Sequence, residues 1–189
     1  ADAISLDGFE CAGHPGEEDI GNWILQAQGA RDLSVPYVAS GGVGNGRQLA
    51  AALALGAAGV NMGTRFMATA EAPIHDKIKQ ALVDGGVGST RLVMRSVRNT
   101  ERVYKNATAD EVAAIEAEHP GDFSKIHHLV KGDNYRKSFH ETGDIESSVW
   151  SCGPVMALID DVPTCRQLIE GMVSEAVDVL DGAQAMVER

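Results

Sequence analysis

Two short apolar runs that follow one another closely, Val35-Pro-Tyr-Val-Ala39 and Gly59-Val-Asn-Met62, both end in a glycine turn, Ser40-Gly41-Gly42 and Gly63-Thr64. Neither run carries a charged residue. A strand of that composition is covered on both faces, which is the situation of a parallel sheet flanked by helices. An earlier run, Ala3-Ile-Ser-Leu6, reads as a strand of the same sheet. The stretches between the runs read as helices. Asn22 to Leu33 carries Trp23, Ala27 and Ala30 at helix spacing, and the alanine-rich Arg47 to Leu55 closes on Gly56 as C-cap. The second helix is apolar almost all round and is expected to pack against the sheet. Strand, helix, strand, helix, strand in this order demands crossover connections and therefore parallel pairing.

From about Pro73 the pattern changes. Ile74 to Val83 reads as a helix broken by Gly85-Gly-Val-Gly88, and Thr90 to Met94 as a strand or an extended connection. Asn99 to Tyr104, Thr108 to Glu118 and Phe123 to Lys131 read as short helices, the second opening on a capping-box pattern, Thr108-Ala-Asp-Glu111. Val149 to Ile159 reads as a helical apolar segment. After Pro163 an amphipathic helix runs to the C-terminus with Leu168, Met172, Val173, Val177 and Leu180 on one side, a covering or dimer-packing element. The expected division is 1–72 for the strand and helix units, 73–146 for a mostly helical insert and 147–189 for the covering helices.

Composition excludes several classes. Of 189 residues, 44% are hydrophobic and 23% charged, enough for a buried core. The formal charge is -11, from 16 Lys and Arg against 27 Asp and Glu, which argues against a nucleic-acid binder. No apolar run approaches the roughly 18 residues of a membrane span. Cys11, Cys152 and Cys165 are too few and too scattered for a disulfide framework or a zinc site, so a reducing, cytoplasmic compartment is expected. The first residue is Ala1, directly before a strand-like run, and the chain reads as the later part of a longer one.

Glycine turns after two neighbouring strands point to phosphate. A phosphate needs several amide donors aimed at one spot, and glycine lets the backbone approach without a Cβ. In (β/α)₈ barrels such a site is often built by the loops after the last two strands. A dinucleotide-binding loop fits poorly, because Gly42-Val-Gly44-Asn-Gly46 completes G-x-G-x-x-G in neither register, and no Gly-Lys-Ser/Thr triplet occurs. In the loop after the first strand, Asp7-Gly-Phe-Glu-Cys-Ala-Gly-His-Pro-Gly16, His14 stands where barrel enzymes place their chemistry and has the side chain suited to proton transfer. Glu10, Cys11, His14 and Glu17 match no zinc spacing, and no metal is expected. Arg91, Arg95, Arg98, Arg102 and Lys105 concentrate positive charge. They serve as salt-bridge partners or, in the sharper reading, steer a nucleotide pyrophosphate.

Asp7-Gly-Phe-Glu-Cys-Ala-Gly-His-Pro-Gly-Glu17, Ala39-Ser-Gly-Gly42, and Ala50 to Ala57 followed by Asn61-Met-Gly-Thr-Arg-Phe66 together resemble the nitronate monooxygenase (2-nitropropane dioxygenase-like) family of FMN-dependent barrels. Met94-Arg-Ser-Val-Arg-Asn-Thr100 and Trp150-Ser-Cys-Gly-Pro to Leu158-Ile-Asp-Asp161 are similar to its bacterial NADH:quinone reductase branch. The chain departs from the family at Val43-Gly-Asn-Gly46 and at Cys152-Gly-Pro154. The resemblance implies a TIM barrel entered at its sixth strand, holding strands six to eight and a helical lid.

It further implies that Ser40, Gly41, Gly42, Asn61, Met62, Gly63 and Thr64 hold the phosphate and ribityl chain of FMN. Asp7, Ala12 and Gly13 would line the flavin edge, and His14 would be the active-site histidine. The leading function is then NAD(P)H:quinone reduction through flavin N5, with NADH or NADPH as co-substrate. Nitronate oxidation with O₂ and His14 as base is the alternative, and a flavin-free binding or scaffold remnant the alternative of another class. Three parallel strands close no barrel and leave sheet edges bare. The remaining strands are expected from the same or a companion chain, which size exclusion would test.

Overall fold

In the computed structural model, which describes residues 1–188, the first third of the chain forms a three-stranded parallel sheet. Strands β1 (Ile4–Asp7), β2 (Tyr37–Ser40) and β3 (Val60–Asn61) lie in chain order, joined by α1 (Asn22–Asp32) and α2 (Gly46–Ala54). The register sets Asp7 beside Ser40 and Ser40 beside Asn61, so the three strands end level. Within this chain β1 and β3 are edge strands, each paired on one side.

Local chemistry explains the helix boundaries. The Asn45 side chain caps α2 by accepting from the Gln48 amide at 3.0 Å. Tyr37, almost fully buried, brings its hydroxyl within 3.0 Å of the carbonyl oxygens of both Gln26 and Leu55, which ties the two helices to β2. The α1 residues that stand at helix spacing face outward. Trp23 is 72% exposed, Ala27 and Ala30 are exposed, and Gln26 and Gly29 are buried instead. Glycine lets that face sit close on Leu6 and Tyr37, which no periodicity of apolar residues reveals.

After the short helix α3 (Thr64–Met67) and α4 (Asp76–Asp84) comes an antiparallel hairpin, β4 (Thr90–Val93) with β5 (Glu101–Tyr104). The helix expected over Asn99 to Tyr104 is therefore a strand. Its partners lie on Thr90–Val93, Gly13 and Ser151, so tertiary pairing overrides local propensity. Helices α5 (Ala107–Glu118), α6 (Phe123–Val130) and α7 (Gly132–Arg136) and a π-helical turn at Lys137–Thr142 follow. The α5 cap is Asn106, not Thr108. Asn106 accepts from the Ala109 amide, while the Thr108 hydroxyl donates to the Glu146 carbonyl. Val149 to Ile159 is no helix throughout: Ser151 pairs with Val103, and only Pro154–Leu158 coils, as a 3₁₀ turn.

The last helix, α8 (Cys165–Val187), starts on a capping box made by Thr164 and Gln167 and packs on α2. Gly46 meets it so closely that a Cβ would collide with the Met172 carbonyl, the Glu175 Cβ and the Ala176 amide. The apolar stripe expected on one side of α8 is split. Leu168, Met172 and Ala176 are buried, while Val173, Val177 and Leu180 face outward with Ile169. No described helix is long and apolar enough to cross a membrane.

Candidate functional site

At the level ends of β1, β2 and β3 the three following loops enclose a cavity of about 210 Å³. Its walls are Asp7, Cys11 and Ala12 from the first loop, Ser40 to Val43 from the second, Asn61 to Thr64 from the third, and Val155 from the distant 3₁₀ turn. Nine of the ten residues expected to bind the cofactor thus surround one space: Asp7, Ala12, Ser40, Gly41, Gly42, Asn61, Met62, Gly63 and Thr64. Gly13 and His14 lie outside it, next along the loop.

The glycines differ in what requires them. Gly41 and Gly42 adopt φ of +83° and +76°, and Cβ atoms there would come within 2.7 Å of Cys11 and Glu10 respectively. The protein's own turn demands these two. Gly63 has an ordinary negative φ, and a Cβ built there meets nothing within 4 Å. Its missing side chain leaves space in the cavity rather than relieving a clash in the protein.

The polar groups facing this space suit an anion and its hydroxylated chain. The amides of Gly41, Gly42 and Val43 donate to no protein acceptor among the described residues, and neither does the hydroxyl of Ser40. The buried Thr64 hydroxyl accepts from the Gly153 amide at 2.9 Å, so its proton stays free to donate. No Lys or Arg lines the cavity, and Asp7 is its one carboxylate, so amides and hydroxyls must carry an anion. Ser40 and Thr64 side chains, the loop amides and the gap at Gly63 together fit the phosphate end of a mononucleotide.

Sequence reasoning missed the residues that brace the loops. Gln48 donates to the Gly42 carbonyl at 2.5 Å and accepts from the Gly44 amide at 2.8 Å. Asn22 donates to the Ser40 carbonyl at 2.9 Å and also to that of Gly41. Both Glu10 carboxylate oxygens accept from the Asn22 amide. The Asn45 to Gln48 spacing, a capping signature, was the one available signal for these braces; Val155 reaches the site from a remote segment with none, while the resemblance puts Cys152-Gly-Pro154 near the flavin-facing end.

His14 is exposed on a loop held at both ends. Gly13 exchanges backbone hydrogen bonds with Arg102 on β5, at 3.1 and 2.6 Å. The Glu17 carboxylate accepts from both the amide and the hydroxyl of Thr100, at 2.9 and 2.7 Å, and these bonds hold it below the usual carboxylate range. Arg102 sits half-buried over the Phe9 ring, 4.7 Å from its centroid, and donates to the Phe9 carbonyl. Of the basic cluster, Arg91 pairs with Asp110 and Arg95 with Asp19, which is the salt-bridge reading. Burial, with Asp7 next, pushes the Cys11 thiol up to about 11, and burial pushes Cys152 up to about 12. Neither is a thiolate near neutrality, so neither is an activated nucleophile. No group of three or more metal-ligating side chains occurs among the described residues.

A level row of parallel strand ends with a cavity above it, behind crossover helices, is consistent with the C-terminal part of a TIM barrel, the fold that the matches below show. The family model for nitronate monooxygenase matches residues 1–175, and the chain belongs to that family. It is 31% identical to the (3aS,4S,5R,7aS)-5-hydroxy-7a-methyl-1-oxo-octahydro-1H-indene-4-carboxyl-CoA dehydrogenase of Rhodococcus jostii, over 98% of this chain and 62% of the relative. Among solved structures, FabK from Thermotoga maritima superposes with a TM-score of 0.91 at 29% identity, over 98% of this chain and 58% of that one. Nitroalkane oxidase from Streptomyces ansochromogenes gives 0.76 at 28%, over 97% and 54%. The chain thus spans somewhat more than half the length of the proteins it matches.

Proposed function

We propose that the protein is an FMN-dependent oxidoreductase that takes electrons from NADH or NADPH and delivers them to a quinone. The observation that carries this reading is the convergence of two glycine turns from neighbouring strands, Ser40 to Val43 and Asn61 to Thr64, on one cavity. Bound there, FMN supplies reversible two-electron chemistry. The chain's own residues do the holding. Loop amides and the Ser40 and Thr64 hydroxyls take the phosphate and ribityl oxygens, while Asp7, Ala12 and Gly13 border the ring edge. His14, fixed in place by its anchored loop, donates a hydrogen bond to the substrate oxygen. Residues 73–146 act as the lid, tied to that loop through Gly13 and Arg102. The cavity is smaller than the roughly 300–1,000 Å³ of a whole ligand site, which fits a share of the walls coming from strands one to five, in the same or a companion chain. Three free cysteines suit a cytoplasmic setting.

A second reading, nitronate oxidation with O₂, is favoured by the family match and by the exposed imidazole of His14, which is open to act as base. Anaerobic mixing of the FMN-loaded protein separates the two. Bleaching of the visible flavin band by NADH or NADPH, followed by recovery with a quinone, supports the reductase. Bleaching by propionate 3-nitronate alone supports the monooxygenase. A protein purified together with strands one to five that stays colourless and does not retain FMN sinks both and leaves the scaffold reading.

A further inference from the structure

The carbonyl oxygens of Ser40, Gly41 and Gly42 are all fastened by side-chain amides. Asn22 Nδ2 donates to the Ser40 carbonyl at 2.9 Å and to that of Gly41, and Gln48 Nε2 donates to the Gly42 carbonyl at 2.5 Å. The Ser40 carbonyl has a second donor in the Gly8 amide, but the Gly41 and Gly42 carbonyls have no other among the described residues. Neither side-chain amide can be turned over. Asn22 Oδ1 accepts from Gln26 Nε2 at 2.7 Å and Gln48 Oε1 from the Gly44 amide at 2.8 Å, so the reverse orientation would set donor against donor and acceptor against acceptor. Both side chains lie on the far side of the loop. They border a groove between α1 and α2 that shares Gly41, Gly42 and Val43 with the cavity, and neither borders the cavity itself. A trans peptide, the form of all three here, carries its C=O and the following N–H on opposite sides. Carbonyls drawn toward the groove therefore turn the amides of Gly41, Gly42 and Val43 the other way, toward the cavity.

We propose that Asn22 and Gln48 are positioning residues that set the polarity of this loop. By holding its carbonyls behind, they make the face toward the cavity a row of N–H donors, selective for an anion although no Lys or Arg lines the space. The inference deepens the phosphate reading of the cavity and rests on it. The loop needs such a hold, because the Gly41–Gly42 peptide has glycine on both sides and local sterics do not choose which way its plane faces. One reversed peptide would put a carbonyl oxygen where a phosphate oxygen must sit, exchanging attraction for repulsion. Each fastened carbonyl also polarises its peptide, so the N–H on the cavity side donates more strongly. Neither side chain borders the cavity, and both act through the backbone.

The test is calorimetry with FMN, riboflavin and inorganic phosphate on the protein purified with strands one to five. Riboflavin carries the same ring and ribityl chain without the phosphate. Gln48→Glu keeps an acceptor for the Gly44 amide and replaces only the donor, Gln48→Met is its neutral counterpart, and Asn22→Leu releases the Gly41 carbonyl. In each variant FMN affinity should fall at least roughly ten-fold while riboflavin affinity stays within about two-fold, and phosphate affinity should fall with that of FMN. A residue that merely supported the fold would weaken both flavins alike. Equal loss of FMN and riboflavin, or full FMN affinity in either Gln48→Met or Asn22→Leu, overturns the inference and leaves the proposed function standing. A loss confined to Gln48→Glu is repulsion by the added charge and overturns it as well. A parent that takes phosphate, and loses it in these variants, yet binds neither flavin removes the proposed function and keeps the loop's polarity. A parent that binds none of the three overturns both.

Discussion

Between the parallel sheet and the segment that follows it, the side chains that fill the interior differ in size. The sheet's buried cluster is Tyr37, Ala39, Ala52 and Ala57, three alanines around one ring. Beyond α3 the cluster is Ile78, Leu82, Phe139, Trp150, Met156 and their neighbours, with Trp150 stacked on Tyr104 at 4.4 Å. Alanines and glycines let backbones come close, which is what level strand ends and crowded loops require. Large side chains bury more apolar area and contribute more to stability. The comparison teaches that this chain keeps ligand geometry and folding strength in different places, and substitutions can separate them.

The largest effect is expected from Trp150→Ala. The side chain is fully buried and packs against Phe139 as well as Tyr104, so its loss should destabilise the protein by about 3–5 kcal/mol in equilibrium urea unfolding. A change below about 1 kcal/mol would erase the distinction between the two regions. Next comes Gly41→Ala. It forces a Cβ onto a residue at φ +83° and within 3 Å of three Cys11 atoms, and should cost about 2–3 kcal/mol. Calorimetry should show FMN affinity falling with it, because the wall of the cavity moves.

Gly63→Ala sharpens the contrast. With open space around the new methyl and an ordinary φ, stability should stay within about 1 kcal/mol of the parent. FMN affinity should nevertheless drop at least roughly ten-fold, a difference of about 1.4 kcal/mol, because the methyl enters the space left for the ligand. Unchanged FMN affinity would mean that the gap at Gly63 serves no ligand.

What could be read in the sequence divides along the same line. The β1, β2 and β3 strands and their glycine turns were legible because uncharged apolar runs and turn residues are local signals, and the positions they mark converge on one cavity. Glu101–Tyr104 was misread because a strand paired with Thr90–Val93 and Gly13 owes its state to distant partners. The same limit hid Val155, which reaches the cavity from far along the chain, and the outward position of Trp23, which follows from the close seat of Gly29 on β1 and β2.

The smallest effect concerns a carboxylate that staples the His14 loop to the hairpin region. Glu17 receives two hydrogen bonds from Thr100, and they depress its pKa. A depressed carboxylate contributes stability above its ordinary unfolded pKa and loses it as pH falls through the lower folded value. The Thr100 amide resonance should therefore titrate with a midpoint below the ordinary carboxylate range, and Glu17→Gln should leave it flat. At neutral pH that variant should unfold much as the parent does, since Glu17 is exposed, while the loop carrying His14 loses one of its anchors. Protease nicking between Gly13 and Glu17 should rise in Glu17→Gln at neutral pH and in the parent only under acid. A midpoint at or above the ordinary value would show that Thr100 does not hold the loop, and that the loop and the hairpin meet through Gly13, the Arg102 contacts and the Arg95–Asp19 pair instead.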